Sequence, residues 1–172
     1  VLIVSLDLVG FSTLGSYELR HDLAAMTGIP FDSIILNFSH THSGPMTILD
    51  KYPVEIETPA NLATYEELLK SRVLEVSIEA ARNLESVEVK LVNGSSDIGI
   101  NRRNRGADGV MEMRPNPSGY RVPDLWGLVL ESKSGNNAVI FSHACHAVTV
   151  YSWKWTRSEE RRVGKECATG CR

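Results

Sequence analysis

The stretch "SIILNFSHTHSGP", from Ser33 to Pro45, runs from an apolar segment of strand length into two histidines and a Gly-Pro turn. Its apolar part, residues 33–38, has the same character as "VLIVSL" at residues 1–6. Both runs are continuous and rich in β-branched side chains, a pattern typical of strands that are buried on both faces. The sequence therefore predicts two buried strands near its beginning.

A helix is predicted between these strands. Leu19, Leu23 and Met26 recur at helical spacing. Ser16 is placed to cap the first turn, and Gly28 is placed to end the helix. A strand, a helix and a second strand in this order form a β-α-β unit, in which the two strands are parallel.

The rest of the chain predicts a long helix and then antiparallel strands. Thr64 and Glu67 have the spacing of a capping box. One helix face is predicted to carry Tyr65, Leu68, Leu69, Val73, Val76 and Ala80. Strands are predicted at residues 87–94, 97–101, 125–132 and 137–143. The predicted fold class is α/β, a mixed sheet with an N-terminal β-α-β unit and later antiparallel strands.

Length and composition predict one domain. The chain has 172 residues, of which 42% are hydrophobic, enough for a substantial core. No apolar run is long enough for a transmembrane segment. Because the sequence starts with Val1 inside a predicted strand, it is expected to be an internal piece of a longer protein.

The last residues differ from the rest. "RSEERRVGKEC", from Arg157 to Cys167, lacks helical or strand periodicity and matches, codon by codon, the translation of a common sequencing adapter. The predicted division is therefore a native domain at 1–156 and a non-native tail at 157–172. Without the tail, 13 basic and 18 acidic side chains give a net charge of −5, which argues against a nucleic-acid partner. Cys145 is then the one cysteine left, so cysteine usage does not indicate a compartment.

His40 and His42 follow the second predicted strand. Strand alternation would place both imidazoles on one side and Thr41 on the other. Ligands of α/β proteins bind at the carboxyl ends of strands. Gly44 and Pro45 force a turn at this point. A His-x-His pair suits either a metal site or a polar turn, and this stretch by itself leaves both open.

A second histidine cluster occurs in "FSHACHAVTV", residues 141–150. Zinc is bound by neutral imidazoles that converge from separate segments, so this cluster favours a zinc site. Because His143 and His146 are three residues apart, only one of them is expected to face the site. Cys145 is predicted to be a small core residue, and His21, in the polar part of the first helix, is predicted to be solvated.

Other residues give weaker signals. The loop "GINRRNRGADG", residues 99–109, holds Arg102, Arg103 and Arg105, which suit either a grip on an anionic or polar headgroup or an exposed basic loop. Asp7 ends the first strand and is either a site residue or a cap for the next loop. The sequence contains no phosphate-binding glycine loop and no G-x-S-x-G nucleophile motif.

Five segments together resemble a known family. "VSLDLVG", "LAAMTGIP", "ILNFSHTHSGP", "GINRR" and "FSHACHAVTV", in that order, are similar to the N-terminal catalytic domain of the neutral/alkaline, non-lysosomal ceramidases. The resemblance covers most of residues 1–156, and S-H-T-H-S-G-P is its most specific motif. It implies a zinc-dependent amidohydrolase in which His40 and His146 bind Zn²⁺ and His42 lies beside the metal, in contact with the substrate or a water molecule.

The resemblance also implies a substrate and its limits. Arg102 and Arg103 would help to orient an N-acyl lipid such as ceramide, or another amide. Ceramidases usually have glycine where this chain has Met46, which implies a different loop on the substrate side.

The family places its other zinc ligands, a Glu and a Tyr, and a serine in an Asp-Val-Ser-Pro segment, further downstream. The 172-residue piece itself is therefore expected to be inactive. A secreted or periplasmic location would suit the resemblance. The alternative hypothesis is a non-catalytic metal-binding or interaction domain.

Overall fold

The computed structural model describes residues 1–42, 44, 45, 47 and 61–146. Contacts divide the chain into two compact units, the first containing Val1–Leu84 and the second Glu85–Thr149. Helices and both parallel and antiparallel strands are present, so the predicted α/β class is confirmed. The predicted boundary between residues 156 and 157 lies outside the described residues.

The first unit contains the predicted β-α-β arrangement. Strand β1 (Leu2–Leu6) and strand β2 (Ile34–Phe38) are parallel, with Leu2 opposite Ile34 and Leu6 opposite Phe38. Helix α1 (Thr13–Thr27) and a short 3-10 helix (Phe31–Ser33) connect them.

The expectation that both strands are buried on both faces is wrong. Val4 and Leu6 of β1 are buried, whereas Ile3 is exposed, and in β2 Ile34 is buried while Ile35 is exposed. The two strands therefore alternate, as strands do when one face of a sheet packs on a core.

Helix α1 begins one turn before the predicted cap. Ser12, not Ser16, is the N-cap, and its Oγ accepts a hydrogen bond from the Gly15 N–H at 3.0 Å. Gly28 ends the helix as predicted, with φ 72°, and its N–H donates to a carbonyl of the last turn. Leu19 and Leu23 are fully buried, but Met26 is 58% exposed.

Helix α2 (Leu62–Arg82) also begins before its predicted capping box. Its buried side chains are Leu62, Val73 and Ser77. Tyr65 and Leu69, half-buried, pack against the core of the first unit. The predicted face was too wide, because Leu68, Val76 and Ala80 are exposed. Neighbouring helix positions differ by about 100°, so Leu68 turns away when Leu69 faces the core. Val76 and Ala80 lie seven residues after Leu69 and Val73, within about 20° of the same directions, so helix periodicity does not explain their exposure.

The second unit consists of two antiparallel sheets. Strands β3 (Val87–Ser95), β6 (Asp124–Ser132) and β7 (Ala138–His143) form a three-stranded sheet in the order β3-β6-β7. Strands β4 (Arg103–Arg105) and β5 (Met111–Met113) form a hairpin. The predicted strand at 97–101 does not form, and β6 pairs with β3 in its place.

Candidate metal centre

In the first unit, strands β1 and β2 end side by side, two residues before His40. The N–H of Ser39 donates to the carbonyl of Leu6 at 2.9 Å, which continues the pairing by one residue beyond β2. The buried Ser39 side chain then donates through Oγ to Oδ1 of Asp7 at 2.7 Å. Because the acceptor is a carboxylate, this bond is stronger than one between neutral groups, and it ties the two strand ends together.

His40 adopts an unusual backbone conformation. Its φ is 56°, the only positive value among the described non-glycine residues. The left-handed region is sterically costly for a side chain with a Cβ, and such residues are often found at functional sites. Strand β2 has already ended at Phe38, so the strand alternation expected through residue 42 does not operate here.

The His40 ring is oriented by the loop that follows β1. Its Nδ1 lies 2.9 Å from the carbonyl oxygen of Val9. A carbonyl only accepts hydrogen bonds, so Nδ1 carries the proton in this contact, and in the neutral ring the lone pair is on Nε2. Metal-binding histidines commonly use one ring nitrogen in this way, which fixes the tautomer and the orientation of the ring.

Thr41 and His42 follow His40 and differ in exposure. Thr41 is buried and His42 is exposed. The ring centroids of His40 and His42 are 5.2 Å apart, with an angle of 66° between the rings. Desolvation lowers the pKa of His42 below its usual value, and the nearby His40 lowers this pKa further. His42 is therefore biased towards the neutral form, which is the form that binds metals and accepts protons.

The Asp7 carboxylate also affects the pKa of Tyr65 on helix α2. Burial raises the pKa of its hydroxyl, and the negative charge of Asp7 raises this pKa further. Tyr65 therefore stays protonated at neutral pH and can act as a hydrogen-bond donor. Sequence patterning indicated Tyr65 only as a core residue of the helix.

Three histidines form a group that could hold a metal ion. One nitrogen from each of His40, His42 and His146 lies within 4.8 Å of the others. His146 is buried. His143, the last residue of β7, is not a member of this group, and its Nδ1 lies 3.3 Å from the carbonyl of Asp124.

Arg102 and Arg103 line a cavity in the second unit. The cavity has a volume of about 210 Å³, and Arg121 also lines it. The Asn101 side chain connects two segments that line this cavity. Its amide N–H donates to the Tyr120 carbonyl at 2.8 Å, and its Oδ1 accepts from the Arg103 N–H at 2.9 Å. Arg121 forms an ion pair with Asp97 at 2.6 Å.

Arg105 lies outside this cavity, which separates it from the other two arginines of its loop. Arg121 was not anticipated, because it is distant in sequence from the arginine-rich loop. A turn that folds back on Asn101 brings it there: the N–H of Asn116 donates to the Asn101 carbonyl at 2.8 Å.

Comparisons with known proteins identify no relative: no family model, no curated protein and no solved structure matches the chain. The ceramidase resemblance therefore remains a prediction from short motifs. Within the described part of the chain, neither helix has the length and apolar character needed to cross a bilayer.

Proposed function

We propose that this chain carries the histidine site of a zinc-dependent amidohydrolase, which cleaves an N-acyl amide such as ceramide into a fatty acid and a sphingoid base. The observation that carries the proposal is the group of His40, His42 and His146, which could hold a metal ion. The motif resemblance supports zinc and an amide substrate.

The donor set suits zinc. Imidazole is a common zinc ligand, and catalytic zinc sites typically use three protein ligands and keep a fourth position open. With Zn–N distances of about 2.0–2.1 Å, two nitrogens of a tetrahedral site are about 3.4 Å apart. The three histidine nitrogens lie within 4.8 Å of one another, a range that includes this separation.

Each residue has a role in the proposed reaction. Zinc, when bound, supplies Lewis-acid polarisation of the scissile carbonyl and activation of water at neutral pH. The Val9 carbonyl holds the His40 ring so that Nε2 presents its lone pair. His42, whose pKa is lowered, is mostly neutral at pH 7 and can either complete the metal site or accept a proton.

The cavity lined by Arg102 and Arg103 is the proposed contact for the polar part of the substrate. Guanidinium groups present several N–H donors in a fixed geometry, which suits amide and hydroxyl oxygens as well as anions. Among the described residues neither arginine forms an ion pair, so binding substrate would not require an internal ion pair to break.

Zinc-binding measurements test the proposed metal site, and two histidines outside the group, His21 and His143, serve as controls. Equilibrium dialysis with the 172-residue chain should show that His40→Gln, His42→Gln and His146→Gln each weaken zinc binding by about tenfold or more. His21→Gln and His143→Gln should leave it unchanged, since neither residue belongs to the group. Equal losses for all five variants would mean that zinc binds nonspecifically to histidines.

Cobalt(II) provides a second measurement. A tetrahedral site made by the three histidines should give a strong visible absorption that is lost in His146→Gln and kept in His143→Gln. A weak, octahedral-type spectrum in the unmodified chain would contradict a closed three-histidine site.

A hydrolysis assay tests the proposed amide cleavage. It uses the longer protein that the resemblance implies. Release of fatty acid from a short-chain N-acylsphingosine should depend on zinc and be abolished in His40→Gln. Arg103→Gln should raise KM more than it lowers kcat, with Arg105→Gln as the matched control. Zinc binding without turnover would favour the non-catalytic metal-binding domain.

A further inference from the structure

Strand β3 is an edge of its sheet. It pairs with β6 on one side, and no strand in the described part of the chain pairs with its other side. All nine of its residues are exposed. An edge strand presents backbone N–H and C=O groups that are ready to pair with another strand.

Of the features that commonly prevent pairing between molecules, this edge has only charged side chains. Natural edge strands are often short, bulged or interrupted by proline. Strand β3 contains no proline, and its register with β6 is continuous from Val87 opposite Ser132 to Ser95 opposite Asp124. It does carry charged side chains, Glu88 and Lys90, which would repel many partners.

We propose that the β3 edge binds a second copy of this chain by antiparallel pairing centred on Val89. In this register Glu88 lies opposite Lys90 of the second copy, so each dimer contains two pairs of opposite charge. Val87 lies opposite Leu91 of the second copy, and the two Val89 residues face each other. The sequence V-E-V-K-L is thus self-complementary when it meets itself in the antiparallel direction.

Neighbouring registers are unfavourable. Moving the centre by one residue sets Glu88 opposite Glu88 of the second copy, or Lys90 opposite Lys90. Like charges directly opposite each other destabilise a strand pair. Moving the centre to a point between two residues shifts the second strand by one residue. The apolar side of one strand would then lie opposite the charged side of the other. The charge pattern therefore selects one register.

The apolar side of the edge continues a larger apolar surface. Val89 and Leu91 are 57% and 70% exposed, and they lie opposite Leu130 and Leu128 of β6. Ile140 of β7 lies opposite Leu128 and is also exposed. A second copy would bury apolar side chains at the edge of this surface, in contacts between Val87, Val89 and Leu91 across the two-fold axis.

The charged side can accept the new partner. Lys90 Nζ lies 2.6 Å from a carboxylate oxygen of Glu131 and 3.7 Å from one of Glu88 within the same chain. An ammonium group has three donors, so Lys90 can contact these carboxylates and a carboxylate of the second copy.

Sedimentation velocity on the full 172-residue chain tests the proposal. The unmodified chain should show a dimer whose fraction rises with concentration. Glu88→Lys and Lys90→Glu should each weaken self-association by about tenfold or more, because each substitution creates two like-charge pairs per dimer.

One mixture and one double variant distinguish loss of strand pairing from loss of folding. An equimolar mixture of Glu88→Lys and Lys90→Glu should form a heterodimer, since each opposite-charge pair is restored. The double variant E88K/K90E should also dimerise by itself. The double variant tests the register, because its two exchanged charges lie opposite each other in two copies only when the pairing is centred on Val89.

The control variants make equal charge changes elsewhere. Glu79→Lys on α2 and Lys133→Glu in the turn after β6 should leave self-association unchanged. Circular dichroism confirms folding in each case. A monomeric unmodified chain at all concentrations would overturn the proposal, as would single variants that associate as tightly as the unmodified chain or a mixture that stays monomeric.

Discussion

Replacing Ser39 with alanine should both destabilise the first unit and weaken metal binding. Ser39 is buried, and its Oγ donates to the Asp7 carboxylate at 2.7 Å. A hydrogen bond to a charged group contributes about 1.5–3 kcal/mol to stability. We expect the lower end, about 1.5 kcal/mol, because Asp7 is half-buried and water can replace part of the lost bond. For a chain of this size that corresponds to a fall in Tm of about 3–6 °C.

The assay for this variant combines thermal unfolding with zinc dialysis. His40 directly follows Ser39, so loosening the strand end should disturb the ring that Val9 orients and reduce zinc affinity by up to about tenfold. Ser71→Ala on an exposed part of α2 is the matched control and should change neither quantity. If Ser39→Ala melts with the unmodified chain and binds zinc equally well, the bond to Asp7 has no part in building the site.

Three further predictions concern the helix end at Gly28 and the pKa values of Tyr65 and His42. Gly28→Ala should cost about 1 kcal/mol in urea unfolding, because alanine is strained at φ 72° although no atom lies within 4 Å of its added Cβ; Gly28→Asn should cost less. Asp7→Asn should lower the raised pKa of Tyr65 only in part, since burial is the larger cause. Ultraviolet titration, with Tyr65→Phe as the reference that identifies the Tyr65 signal, measures this pKa. A full return to the usual tyrosine pKa would contradict burial as the larger cause. The pKa of His42 in the folded chain lies below 6.5, so the unfolded chain binds the proton more readily. Without metal, the free energy of unfolding should therefore fall as the pH drops from 6.5 towards the folded-state pKa. Urea unfolding at several pH values measures this dependence, which His42→Gln should flatten.

The sequence by itself determined the elements of the first unit and the type of fold. Periodicity indicated Leu19 and Leu23 as core residues, and the freedom of glycine at positive φ made Gly28 a reliable helix end. These features depend on local backbone preferences, which a sequence states directly. The helix starts were less accurate, because Ser12 and Ser16 are both chemically able to cap, and packing decides which one does.

The sequence also indicated which histidines to consider, but not how they come together. Strand alternation was the basis for placing His40 and His42 on one side. The chain leaves the strand at Phe38 and turns through the positive φ of His40, so their relative position comes from the turn. The choice between His143 and His146 likewise depends on the end of β7, since His146 lies beyond the strand.

The tertiary structure alone decided the surroundings of the site. Asp7 and Ser39 are 32 residues apart in sequence, and they meet because parallel strands bring their carboxyl ends to one edge of a sheet. Val9 contacts His40 through a backbone carbonyl, which any residue type could provide, so its identity carries no signal. Arg121 reaches the cavity of Arg102 and Arg103 because the loop folds back on Asn101. Contacts between distant residues depend on chain topology, and no local pattern in a single sequence encodes them.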